Sequence, residues 1–158
     1  MVETSMRVIG FITAFLSIVL GMSLAIAQSG VATTQYEPRL ADIMSTTQLR
    51  HMKLWFAGEA PNWDLAAYEL NQLKASLTEA ASLYPGIPIS SVTTMSAPVQ
   101  DIADAIGEKN AGKFRESFTK LTSGCNACHQ SVGLGFIVMR IPTASPFSDQ
   151  VFPPQKAP

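Results

Sequence analysis

Apolar residues recur at spacings of three and four from Glu37 to His129, in four blocks punctuated by proline and glycine, with no run that alternates as a strand does. Such a chain buries its apolar surface by laying helix against helix. The first stripe is Leu40, Ile43, Met44, Thr47, His51, Leu54 and Trp55. It is expected to open at Glu37 or Pro38, since an acid and a fixed φ suit a helix N-terminus, and to end near Gly58, before Pro61. Pro61 or Asn62 opens the second and most regular stripe, Trp63, Ala66, Leu70, Leu73, Leu77, Ala81 and Tyr84, which Pro85-Gly86 stops. Residues 85–97, rich in Pro, Ser and Thr, read as a loop. A shorter third helix is expected from Pro98, with Val99, Ile102, Ala103 and Ile106 inward, ending over Gly107 to Asn110. Asn110 then caps a fourth, along which Ala111, Phe114, Phe118, Leu121, Cys125 and Cys128 or His129 keep helical spacing. The pattern predicts an all-α, antiparallel four-helix bundle over residues 37–132, with room for a site among inward side chains of facing helices.

Ahead of the bundle, residues 1–27 read as an export signal. Arg7 supplies positive charge, residues 8–27 are almost wholly apolar, and Ala25-Ile26-Ala27 gives a small-x-small pattern before a cut at Gln28. A retained leader of that length would instead span a bilayer as an anchor. Either way the folded part is expected outside the cytoplasm, in the periplasm. Residues 28–36 are small and polar and read as a flexible lead into the first helix. The remainder has the length of one domain with one core. Eleven Lys and Arg against twelve Asp and Glu leave a net charge of −1 and no basic face, which argues against nucleic acid as a partner. The slightly positive mean hydropathy belongs largely to the leader.

The chemistry concentrates in Cys125-Asn126-Ala127-Cys128-His129. Two thiols three residues apart, followed at once by an imidazole, form the spacing that attaches a c-type haem. Each thiol adds to one vinyl group of the porphyrin, and His129 is then held where its imidazole can bind the iron. Other readings of the same residues remain. A redox-active cysteine pair wants a βαβ setting, whereas the flanks here are helical. A zinc site wants about four protein ligands, and Cys125, Cys128, His51 and His129 are the whole supply of sulfhydryl and imidazole. A disulfide across so short a span would restrain little of the unfolded chain.

With a late Cys-x-x-Cys-His after three helices, the sequence resembles the class II cytochromes c, the family of cytochrome c-prime and its low-spin relatives. The resemblance covers about residues 37–132. It implies a four-helix bundle with one covalent haem c bound through Cys125, Cys128 and His129 near the end of the last helix, and a homodimer formed by faces of the first two helices. Trp55, Phe56 and Tyr68 would suit that interface, or would complete the monomer's core. The tail departs from the family: residues 133–158 continue past the motif, where class II chains usually stop. Gly133 and Gly135 should end the helix, and Pro142, Pro146, Pro153 and Pro154 preclude another long one. An extended tail is expected, with Phe136-Ile137-Val138 packing back on the bundle. It would cover the haem edge or a groove, or dock a redox partner or second subunit with Arg140 pairing a haem propionate.

The iron's sixth position separates the functions. Met44, on the inward stripe of the first helix, would give a low-spin iron suited to single-electron transfer, and equally suits a core methionine filling space. His51, further along the stripe, would give a bis-histidine haem of lower potential; Met139 would serve if the tail turned back. With none of these bound, the iron is five-coordinate and open to small gases such as NO or CO. The expectation is a periplasmic electron carrier serving a redox partner protein, with a gas-binding haem protein as the alternative. No carboxylate cluster, serine–histidine pairing or phosphate-cradling loop suggests an enzyme. Arg39 and Arg50 either reach propionates or are solvated surface charges.

Overall fold

A computed structural model describes residues 36–87 and 89–155. The expected export signal, 1–27, and residues 28–35 of the expected flexible segment lie outside the described residues. Among the described residues there are four helices: α1 (Leu40–Glu59), α2 (Trp63–Leu83), α3 (Ile89–Gly107) and α4 (Ala111–Ser131). Among the described residues there is no strand, so the fold is all-α.

Contacts between helices give their directions. The Tyr84 hydroxyl after α2 donates to the Pro38 carbonyl before α1 (2.9 Å), so these two run antiparallel. Arg115, early in α4, pairs with Glu59 at the end of α1 (2.7 Å), and Thr122 meets His51 (2.9 Å). α1 and α4 are therefore antiparallel too. Lys120 lies 3.6 Å from Asp101, while Met95 reaches Gly124, which sets α3 against α4 in the same sense. This up-down-up-down arrangement is that of a four-helix bundle. At Gly58 the α1–α4 seam leaves no room for a side chain, because a Cβ there would clash with the Phe114 ring.

Local chemistry accounts for the helix ends. The Asn62 and Asn110 side chains accept from the Leu65 and Lys113 amides (3.2 and 3.0 Å), each satisfying a donor of the first turn. α1 starts two residues later than Pro38 allows, because Pro38 remains outside, its carbonyl engaged by Tyr84. Arg39 occupies the cap position and pairs with Asp42 (2.9 Å) instead of capping through a side chain. α3 overturns the expected loop. It begins at Ile89, nine residues ahead of Pro98, and carries that proline in its interior. Pro98 offers no N–H to the carbonyl four residues back. The stripe nevertheless continues upstream through buried Met95 to Val99, Ile102 and Ile106, and that burial outweighs the lost bond.

The core is built on Leu54, Leu73, Ile102, Phe114, Phe118 and Leu121, all essentially inaccessible. Trp55 joins it, 4.9 Å from Phe118 and 6.3 Å from Phe114 between ring centroids, and Phe56 packs on Phe152 at 5.6 Å. Tyr68 stays half exposed with Arg50 over its ring. Arg50 also pairs with Glu69 (3.1 Å), a carboxylate only 2% exposed. Arg39 and Arg50, two of the three arginines expected near propionates, are thus engaged by carboxylates of this chain.

Residues 132–155 carry no helix. The expected packing of Phe136-Ile137-Val138 is not what holds this segment, since all three side chains are exposed. Main-chain groups of Ile137 and Met139 turn toward α4 and leave the side chains outward. Phe147 and Phe152 anchor the segment instead. Phe152 is buried, 5.9 Å from Phe147, and its carbonyl accepts from the Asn62 side chain (2.9 Å) at the start of α2.

Candidate haem-attachment site

The final turns of α4 present Cys125 and Cys128 one turn apart, with no disulfide between them. Cys125 packs against the core, and burial, with a smaller contribution from Cys128, pushes its thiol up to about 11. A redox-active pair needs the opposite, a thiol lowered toward the thiolate. Burial instead keeps Cys125 in the protonated S–H form. Among the described residues no three His, Cys, Asp or Glu gather as a metal cluster of the kind a zinc site needs.

His129, in the last turn of α4, is oriented by the chain that follows. The helix ends with Gly133 at φ +77°, the left-handed conformation glycine adopts freely. The Leu134 amide donates to the His129 carbonyl (2.8 Å) and the Gly133 amide to Gln130 (3.2 Å), a paired cap that reverses the chain. The reversal brings the Ile137 carbonyl to 2.8 Å from His129 Nδ1. A carbonyl only accepts, so Nδ1 carries the proton of this bond, and in that tautomer of the neutral imidazole Nε2 keeps its lone pair. Asn126, inside the Cys-x-x-Cys-His motif, holds the same segment twice. Its Nδ2 donates to the Met139 carbonyl (3.0 Å), and its Oδ1 accepts from the Met139 amide (2.7 Å).

His51 is fixed from the other side. The Thr122 hydroxyl spends its proton on the Phe118 carbonyl (2.9 Å), so it accepts from His51 Nε2–H (2.9 Å). His51 Nδ1 is left as a bare, buried lone pair without a partner. Burial pushes this imidazole down to about 4, so it is neutral at neutral pH. His51 borders a cavity of about 410 Å³ between α1 and residues 138–146, along with Met52, Met139 and Arg140. Met44 is half-buried, and the register set by His51 with Thr122 puts it level with His129. The structure thus places Met139 with His51 on one cavity, and Met44 at the level of the motif.

The residues fit a covalent haem. Two unbridged thiols share one side of a helix, and the imidazole that follows has its proton engaged and its Nε2 open. A porphyrin brings four in-plane donors and asks the protein only for axial ones. The roles of Asn126, Ile137 and Thr122 escape the sequence, since the first two depend on a chain reversal and the third on the register of α1 against α4.

Comparison of the chain with protein-family models, with curated proteins and with solved structures finds no match. Among the described residues no helix is long and apolar enough to cross a membrane.

Proposed function

We propose that the chain is an exported c-type cytochrome of the class II kind. It carries single electrons in the periplasm between redox partner proteins, through one haem joined to Cys125 and Cys128 and bound axially by His129. The observation that carries this reading is the orientation of His129, whose Nδ1–H is held by the Ile137 carbonyl so that Nε2 is the free donor beside two unbridged thiols. When bound, the haem supplies the one-electron iron couple. The chain's residues hold the axial imidazole and shape the surroundings of the ring.

Met44 is the proposed sixth ligand, and its level with His129 favours it; the bare Nδ1 of His51 makes that imidazole the competitor. The second reading, a five-coordinate haem that binds NO or CO, draws on the cavity beside His51 and Met139. Optical and EPR spectra of the haem-loaded protein, with and without CO and beside Met44→Ala and His51→Ala, decide among them. A low-spin spectrum that ignores CO and is lost in Met44→Ala supports the electron carrier. A high-spin iron that takes CO and is indifferent to both substitutions overturns it in favour of gas binding.

A further inference from the structure

The segment beyond α4 does more than cover the bundle. Its contacts converge on the residue read above as the iron ligand, and the inference rests on that reading. The Gly133 cap turns the chain, the Asn126 side chain grips Met139 by both its N–H and its carbonyl, and between those two fixed points the Ile137 carbonyl meets His129 Nδ1. Ile137 is an exposed side chain in a segment without helix or strand, so apolar packing does not hold its carbonyl in place. The turn bond from the Ile137 N–H to the Leu134 carbonyl (2.9 Å) and the Asn126 clamp do. An axial imidazole whose other nitrogen donates to a carbonyl is a fixed tautomer and a more basic ligand, which favours the oxidised, more positive iron.

We infer that Asn126 is a positioning residue for the haem iron: by clamping Met139 it holds the Ile137 carbonyl on His129 Nδ1 and thereby sets the ligand strength of His129. The position lies inside the motif, where attachment chemistry makes no demand on the side chain, so the residue is available for this second task.

Two substitutions in the full-length protein test it. Asn126→Leu keeps the size and removes both hydrogen bonds; Asn126→Asp keeps an acceptor for the Met139 amide and loses the donor to its carbonyl. In the haem-loaded protein, Asn126→Leu should raise the reduction potential, so that at a fixed solution potential the ratio of reduced to oxidised protein rises about tenfold. Asn126→Asp should fall between it and the unaltered protein. In the haem-free protein labelled with ¹⁵N-histidine, His129 should carry its proton on Nδ1, and Asn126→Leu should admit the Nε2–H tautomer. If Asn126→Leu leaves both the potential and the tautomer unchanged, the clamp has no hold on His129 and the inference is overturned. If the protein takes up no covalent haem, the cytochrome reading fails separately, while the tautomer measurement still decides whether the clamp operates.

Discussion

Lowering the pH should unfold the haem-free protein through one residue. His51 is 1% exposed, donates its Nε2–H to Thr122, and has an Nδ1 that a proton could occupy only without any partner. Burial takes its pKa from 6.5 down to about 4. In the unfolded chain the imidazole protonates at the higher value, so between the two values the unfolded state binds more protons and acid favours unfolding. The stabilisation is therefore complete above the unfolded value and is lost progressively as pH falls from 6.5 toward 4. The separation corresponds to about 3 kcal/mol in total, of which about 2 kcal/mol is gone by about pH 5. Urea denaturation of the haem-free protein at about pH 8 and about pH 5 measures this, with His51→Gln as reference because it keeps a side-chain N–H donor but does not titrate. The unaltered protein should lose about 2 kcal/mol more than His51→Gln over that interval. Equal losses in the two proteins would mean that His51 charges freely in the folded state, and the assigned burial and tautomer would be wrong.

Gly58→Ala should destabilise by about 1–3 kcal/mol in the same assay, because the new methyl group clashes with the Phe114 ring across the α1–α4 seam; an unchanged midpoint would show that the helices do not pack there. Arg50→Ala should cost about 2 kcal/mol by leaving Glu69 buried without its cation, somewhat below the figure for a fully enclosed pair because a quarter of Arg50 is exposed. Removing both charges, in Arg50→Ala with Glu69→Leu, should recover most of that loss, and failure to recover would place the cost in packing rather than charge.

The four helices were legible because their stripes are long and their punctuation is chemical: Asn62 and Asn110 cap, and Gly133 stops α4. The error at α3 came from weighting Pro98 above the stripe. Met95 continues the spacing of Val99 and Ile102 upstream, and burying it against Gly124 is a tertiary gain that local preference does not register. The tail misled for a related reason. Three adjacent apolar residues, Phe136 to Val138, suggest packing, but the Ile137 carbonyl is bound to His129 and the main chain of the adjoining Met139 to Asn126, and the three side chains stand outward. Phe147 and Phe152, separated by Ser148, Asp149, Gln150 and Val151, make the anchor instead. At the site, the motif named the two thiols and the imidazole, but the tautomers of His51 and His129 depend on Thr122 and Ile137, neither of which carries a sequence signal.

The central claim is a covalent haem at the end of α4, and the mass of the intact protein, expressed with its export leader in a host that matures c-type cytochromes, tests it most directly. The account predicts a chain heavier by one haem that acid–acetone extraction does not remove, with the added mass mapping to the peptide that contains Cys125 and Cys128 and absent when both are changed to serine. A chain of unmodified mass whose haem, if any, extracts completely would contradict it.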